Sequence, residues 1–167
     1  MGQSFAIRGG KSVPTDAVFD AWTSGNLKRM LRALELRTNL IDRHFLLLSI
    51  VEQTYRLRSD PKMAADCARV SEIHLAEFQQ IAPALKAEFD GVLPQVPTFQ
   101  NYATLLTEQG DFGRAAWVCE LALYYGLDDG TKSGFSGRIE RIRKKQAKPN
   151  KRIEQTPLRG AAPPPNV

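Results

Sequence analysis

Apolar residues in this chain return every three or four positions along most of its length, and no stretch alternates cleanly between apolar and polar. Leu27, Met30, Leu31 and Leu34 follow this spacing, as do Ile41, Phe45, Leu48, Val51 and Tyr55, and later Phe99, Tyr102, Leu105 and Leu106. This is the period of an amphipathic helix, whereas a strand would set its apolar residues two apart. The expected fold is all-α. With 167 residues, 43% hydrophobic and 25% charged, the chain is long and apolar enough for one domain with a genuine core.

Glycine, proline and capping residues divide this pattern into helices. Residues 1–14 carry Gly2, Gly9, Gly10 and Pro14 and read as a loose, flexible segment. Thr15 or Asp16 can cap a first helix bearing Val18, Phe19 and Trp22; Thr23 to Asn26 break it, and a second runs on to Arg37. A third is expected over roughly 39–57. Asp60 can then cap a fourth that has Pro61 in its first turn and carries Cys67, Ile73 and Phe78. Pro83, Gly91, Pro94 and Pro97 punctuate the connection beyond it, leaving Ala84 to Phe89 as a separate short helix. Two helices flank Gln109-Gly110-Asp111, and the last places Phe135, Ile139 and Ile142 on one stripe among Arg and Lys. Residues 148–167 have no periodic apolar face and read as a disordered tail.

Composition narrows the function classes. No apolar run approaches the roughly 20 residues that span a bilayer, and the first residues lack an apolar core of signal-peptide length. No membrane contact is therefore expected, and the cytoplasm is the expected compartment. Cys67 and Cys119 both fall in amphipathic helices, where a free cysteine packs as a small hydrophobe. His44 and His74 are the only histidines. Cys67, His74 and Glu77 could share part of a helix face, but without a CxxC or HxxxH cluster they are expected to be structural. There is no phosphate-binding glycine loop and no calcium-loop pattern around Asp128 and Asp129. Neither a catalytic residue, nor a metal, nor a cofactor is assigned, and the chain is not read as an enzyme.

The turn at Gln109-Gly110-Asp111 is followed by small residues, Ala115 and Ala122, on a helix face that would otherwise carry bulk. With Phe99, Tyr102, Ala103 and Leu106 ahead of the turn and Leu127 at its end, the stretch 97–130 resembles a tetratricopeptide repeat, a helix–turn–helix unit of about 34 residues. Small residues there let two helices approach closely. A weaker copy over 45–78 sets Asp60 against Asp111, Tyr55 at the family's Tyr position and Ala64 at its first small position. The ending from Gly126 to Lys145 is similar to that of uncharacterised bacterial proteins of this repeat type. The resemblance implies antiparallel helix pairs stacked as a short α-solenoid over 15–147, closed by the helix bearing Phe135, Ile139 and Ile142. Because two pairs are few for such a stack, residues 15–37 are expected to add another pair, or the protein to self-associate.

Two functions remain. A stack of helix pairs offers a groove for a peptide or partner helix. Helical spacing turns Gln100, Thr104, Thr107 and Glu108 of the better repeat, and Ser49, Gln53 and Arg56 of the weaker one, toward that groove. Family members that grip a terminal carboxylate use Lys, Arg and Asn there, and only Arg56 matches. The alternative rests on charge. Residues 1–131 hold 13 basic and 16 acidic side chains, a net of −3, whereas residues 132–167 hold 10 and 2, a net of +8. Arg138, Arg141, Arg143, Lys144, Lys145 and Lys148, with Lys151 and Arg152 beyond them, could neutralise nucleic-acid phosphates. No aromatic stands after Phe135 to stack on bases.

Overall fold

The computed structural model describes residues 2–148. Two short strands, β1 (Phe5–Arg8) and β2 (Lys11–Pro14), precede seven helices: α1 (Ala17–Ser24), α2 (Leu27–Ala33), α3 (Leu40–Arg56), α4 (Pro61–Glu88), α5 (Pro97–Glu108), α6 (Phe112–Tyr124) and α7 (Gly134–Ala147). The described chain is predominantly helical. No helix within it is long and apolar enough to cross a membrane. The expected tail falls almost wholly in 149–167, outside the described residues.

The helix starts obey local chemistry. Asp16, Asn26, Asn39, Asp60 and Asp111 each stand just ahead of a helix, and each side chain accepts a hydrogen bond from a backbone N–H of the first turn. Those donors would otherwise have no partner. Pro61 and Pro97 sit in first turns, where a missing N–H costs nothing.

Two expectations are corrected. The first residues, expected as a loose segment in a chain without strands, hold a hairpin: β1 and β2 pair antiparallel, with Arg8 opposite Lys11 across Gly9-Gly10. Both glycines have positive φ, +54° and +74°, which is the backbone a two-residue hairpin turn requires and which glycine adopts without strain. Arg8 then reaches from the hairpin to the body, donating to Asp42 Oδ1 at 2.7 Å. The second correction concerns Pro83, which does not end a helix. α4 runs straight through it to Glu88. Ile81, Ala82 and Leu85 are buried on either side of it, while Pro83 itself and Gln79, whose carbonyl loses its donor, both face solvent. Water can replace the lost hydrogen bond, and core packing outweighs the penalty of an interior proline.

The helices pack mainly against their neighbours in sequence, α3 on α4, α5 on α6 and α6 on α7, with α1 and α5 also against α3. Within α3 and α4, Arg43 meets Glu77, His44 meets His74, and Cys67 lies beside Val51. Partners that converge on the intervening turn in this way belong to antiparallel helices. Ala103, Ala115 and Ala122 have no exposed surface, and α5 packs on α6. Phe135, Ile139 and Ile142 are buried along one stripe of α7. Phe78, Phe99 and Tyr125 form an edge-to-face cluster at the centre.

Candidate functional site

Between α5 and α7 lies a cleft of about 200 Å³. From α5 it takes Ala103, Thr104, Thr107 and Glu108; from α7 it takes Arg138, Arg141, Ile142 and Lys145. The α7 residues stand three, four and seven positions after Arg138 and so share one helix face. Two sets of residues that the sequence suggests for different purposes, a peptide groove and a phosphate-binding tail, meet in one concavity.

Each polar group there has a defined posture. Arg138 lies against Asp129, with Nε and Nη2 both donating to Oδ2 at 3.1 Å, and its Nη1 donates to Thr104 Oγ1 at 3.1 Å. The Asp129 carboxylate is fully buried, and Thr131 donates to its other oxygen from both backbone and hydroxyl. Burial alone would raise its pKa, but the Thr131 hydrogen bonds and the Arg138 charge outweigh it and hold the carboxyl below the usual range. Thr104 and Thr107 spend their hydroxyl protons on their own helix, donating to Gln100 O at 2.8 Å and Ala103 O at 2.7 Å. Their oxygens toward the cleft can therefore only accept. Arg141 Nη1 donates to Ser133 Oγ at 3.0 Å. Glu108, at the far end, accepts from Arg58 Nε and Nη2 at 2.9 Å each. That bidentate pair, with Arg58 and Lys145 adding favourable charge, lowers the Glu108 pKa.

The other residues expected to bind are scattered. Gln100 is half-buried, and its Oε1 is buried without a partner. In the weaker repeat, Gln53 Nε2 donates to Gly25 O at 2.9 Å and so ties α3 to the end of α1. Arg56 donates to Glu52 O and borders a separate shallow depression with Tyr55 and Asn101; Ser49 is half-buried. Of the basic set, Arg143 lies 3.6 Å from Glu120, and Lys144 and Lys148 point to solvent. Lys151 and Arg152 lie outside the described residues.

Cys67, His74 and Glu77 turn to three different partners: the Val51 carbonyl, His44 with Thr98, and Arg43. No group of three or more candidate metal ligands occurs among the described residues. The histidines instead form a buried polar chain. His44 Nδ1 and His74 Nε2 share a hydrogen bond of 3.0 Å, and His74 Nδ1 lies 2.8 Å from Thr98 Oγ1. Burial lowers the His44 pKa to about 4 and that of His74 well below the ordinary value, the latter helped by His44 and Arg43. Both rings are therefore neutral at pH 7. Both thiols are shifted up by burial, Cys119 to about 11, which leaves them inert as nucleophiles.

Three important polar residues escape a reading from spacing. Asp42, almost fully buried, accepts from Arg8, from Trp22 Nε1 at 3.1 Å and from Asn39 Nδ2 at 2.7 Å, joining the hairpin, α1 and α3. Asp129 looks like an ordinary turn residue; only the Arg nine positions later hints at its role. Glu72 is reached by Arg114 and Tyr102 from two other helices. Compared with known proteins, the chain matches no family model, no curated protein and no solved structure.

Proposed function

We propose that this protein is a non-catalytic binding module that holds a peptide or partner helix in the cleft between α5 and α7. The observation that carries the reading is the meeting there of α5 hydroxyl-bearing residues with three α7 cations over a floor of Ala103 and Ile142. A volume of about 200 Å³ is below the roughly 300–1,000 Å³ of a small-molecule site and suits one or two side chains of a larger partner. The finer architecture belongs to this proposal. The chain is a short tetratricopeptide-like solenoid, with α5–α6 as the better repeat, α3–α4 as the weaker, α1–α2 as an additional pair and α7 as the closing helix. Neighbour-to-neighbour packing and the fully buried Ala103, Ala115 and Ala122 support it.

The alternative, phosphate binding by a basic tail, is less well supported. Arg138, Arg141 and Lys145 line the cleft, which leaves Arg143, Lys144 and Lys148 as the outward cations of the basic set within the described residues.

Photocrosslinking tests the choice. With p-benzoylphenylalanine in place of Thr107, exposure to cell extract yields discrete protein adducts that persist at high salt. The same probe at Ser136, exposed on α7 and outside the cleft, does not. Adducts of nucleic acid alone, lost in high salt, would instead favour the tail.

A further inference from the structure

We infer that the outer groove between α4 and α6 is a receptor for a proline-rich segment, and that its occupant is this chain's own stretch Ala161-Ala162-Pro163-Pro164-Pro165. The groove shares no residue with the cleft between α5 and α7, so the two stand or fall separately. α4 and α6 run in the same direction: Glu72 meets Arg114, and further along both helices Phe78 meets Tyr125. Two depressions between them, of about 590 and 290 Å³, share Gln79 and Tyr125 and form one valley. Gln79 and Pro83 line its α4 side; Trp117, Leu121, Tyr124 and Tyr125 line its α6 side. Trp117 is 40% exposed and Tyr124 81%.

A lone exposed ring is ordinary; the spacing of these is not. Trp117 and Tyr124 stand seven positions apart on α6, so they share a face and lie about 10.5 Å apart along the axis. A run of prolines favours the polyproline II conformation, whose edge repeats every three residues, or about 9.3 Å. The two rings therefore match successive positions on one edge of such a segment, which docks against aromatic faces. Arg114 stacks over Trp117 at 4.0 Å from the ring centroid and is tied to Glu72 at 2.7 and 2.8 Å, which steadies the indole. Tyr124 and Tyr125 meet edge to face at 5.2 Å. Prolines bring carbonyl acceptors and no N–H, and the Trp117 indole, the Gln79 amide and the tyrosine hydroxyls are the donors that suit them.

Reach and charge name the occupant. Arg138 meets Asp129 beyond the end of α6, while Arg143 meets Glu120 within it, so α7 runs antiparallel to α6. The chain thus leaves α7 at Lys148 beside the start of α6, a helix of 13 residues and so about 20 Å long. Residues 149–162, 14 in number, separate Lys148 from Pro163, and a linker of that length spans about 20 Å root-mean-square. Such a match gives an effective concentration on the order of 1 mM, so an intrinsic Kd as weak as about 1 mM keeps the segment docked about half the time. Arg159, four positions ahead of Pro163, finds its complement in Glu120, which lies between the two rings and is held by Arg143 only at 3.6 Å.

The test is paramagnetic-relaxation NMR on the full chain with a nitroxide at Asn166→Cys, the two native thiols being buried. The Trp117 indole and Tyr124 amide signals are expected to fall to about half or less of their diamagnetic intensity, with Thr107 and Ile142 of the cleft far less affected. The triple change Pro163→Ala/Pro164→Ala/Pro165→Ala restores full intensity, as does Tyr124→Ala, which leaves Tm unchanged because that ring is 81% exposed. Arg159→Glu weakens the effect, and adding Glu120→Arg recovers it. Nitroxide-bearing protein mixed with isotope-labelled protein lacking the nitroxide gives no broadening. Broadening in that mixture overturns occupancy by the same chain in favour of a second copy. Undiminished broadening in the triple variant overturns recognition of the prolines. Broadening confined to the α5–α7 cleft, or found nowhere, overturns the groove as the receptor.

Discussion

The His44–His74 pair makes stability depend on pH in a window that can be worked out in advance. In the unfolded chain each imidazole titrates near 6.5; in the folded protein His44 titrates at about 4 and His74 well below 6.5. The unfolded state therefore binds protons first as pH falls. Stability attributable to these rings is fully present above about pH 6.5 and declines on acidification until the folded values are reached. A single neutral-buried histidine loses about 1.4 kcal/mol per pH unit in that window. At about pH 5 this amounts to about 2 kcal/mol for His44 and about 4 kcal/mol if both rings stay neutral, against a typical total of about 5–15 kcal/mol. His44 is 1% exposed and His74 0%, so solvent does little to screen the effect. Urea unfolding monitored by Trp fluorescence, repeated between about pH 7.5 and about pH 4.5, measures it as ∂ΔG/∂pH. The double variant His44→Leu/His74→Met removes both titrations and should flatten the slope, whatever it costs at neutral pH. The window lies above the lowered carboxyl values of Glu72, Glu108 and Asp129, so their titration falls mostly outside it. If wild type and double variant lose stability in parallel between about pH 6.5 and about pH 5, the argument from burial is wrong.

The packing sets three further outcomes. Asp129→Asn leaves Arg138 without a counter-charge and should destabilise by about 2–3 kcal/mol in chemical denaturation, less than a fully buried pair because Arg138 is 20% exposed. Ala122→Leu forces bulk into the α6 face that has no exposed surface and should lower stability by about 1–3 kcal/mol by thermal melting, whereas the same change at the half-buried Ala116 should be milder. Cys67 and Cys119 should react with a thiol reagent only as fast as the protein unfolds, since both are buried and both titrate above the ordinary thiol value; rapid labelling of either in native conditions would contradict the packing.

Much of the helical framework is legible in the sequence because it rests on local rules. Asp60-Pro61 and Gly110-Asp111 announce helix boundaries whatever lies elsewhere, and the apolar spacing of α5 and α7 names their buried faces; in α3 only Ile41 and Val51 of the expected stripe are buried, because Leu46, Leu47 and Ile50 turn to the core while Phe45, Leu48 and Tyr55 lie at its edge. The features that are not legible depend on partners distant in sequence. Pro83 carries a strong local penalty, and only the burial of Ile81, Ala82 and Leu85 by other helices overrides it. The hairpin escapes notice although Gly9-Gly10 is a recognised turn signal, since strands of four residues offer too short an alternation to stand out. Helical spacing places Thr104, Thr107 and Glu108 on one face, yet it says nothing of α7 crossing that face. The cleft comes from tertiary packing, so its cations and hydroxyls can be found separately in the sequence but not joined.

α4 is the longest element, 28 residues, or about 42 Å at the usual rise. It packs on α3 and on α5, and Glu72 ties its middle to α6 through Arg114. A stack of short repeats behaves as a spring, bending a little at every joint. In the proposed repeat architecture, α4 belongs to one pair and also packs on the next, so it would splint the joint between them. If the proposed partner seats against α5 and α7, it meets a face braced from behind by this helix through α5. The same splint sets the order of local opening: amides in the middle of α4 exchange with solvent only in global unfolding, while those of the hairpin and of the last turn of α7 exchange first.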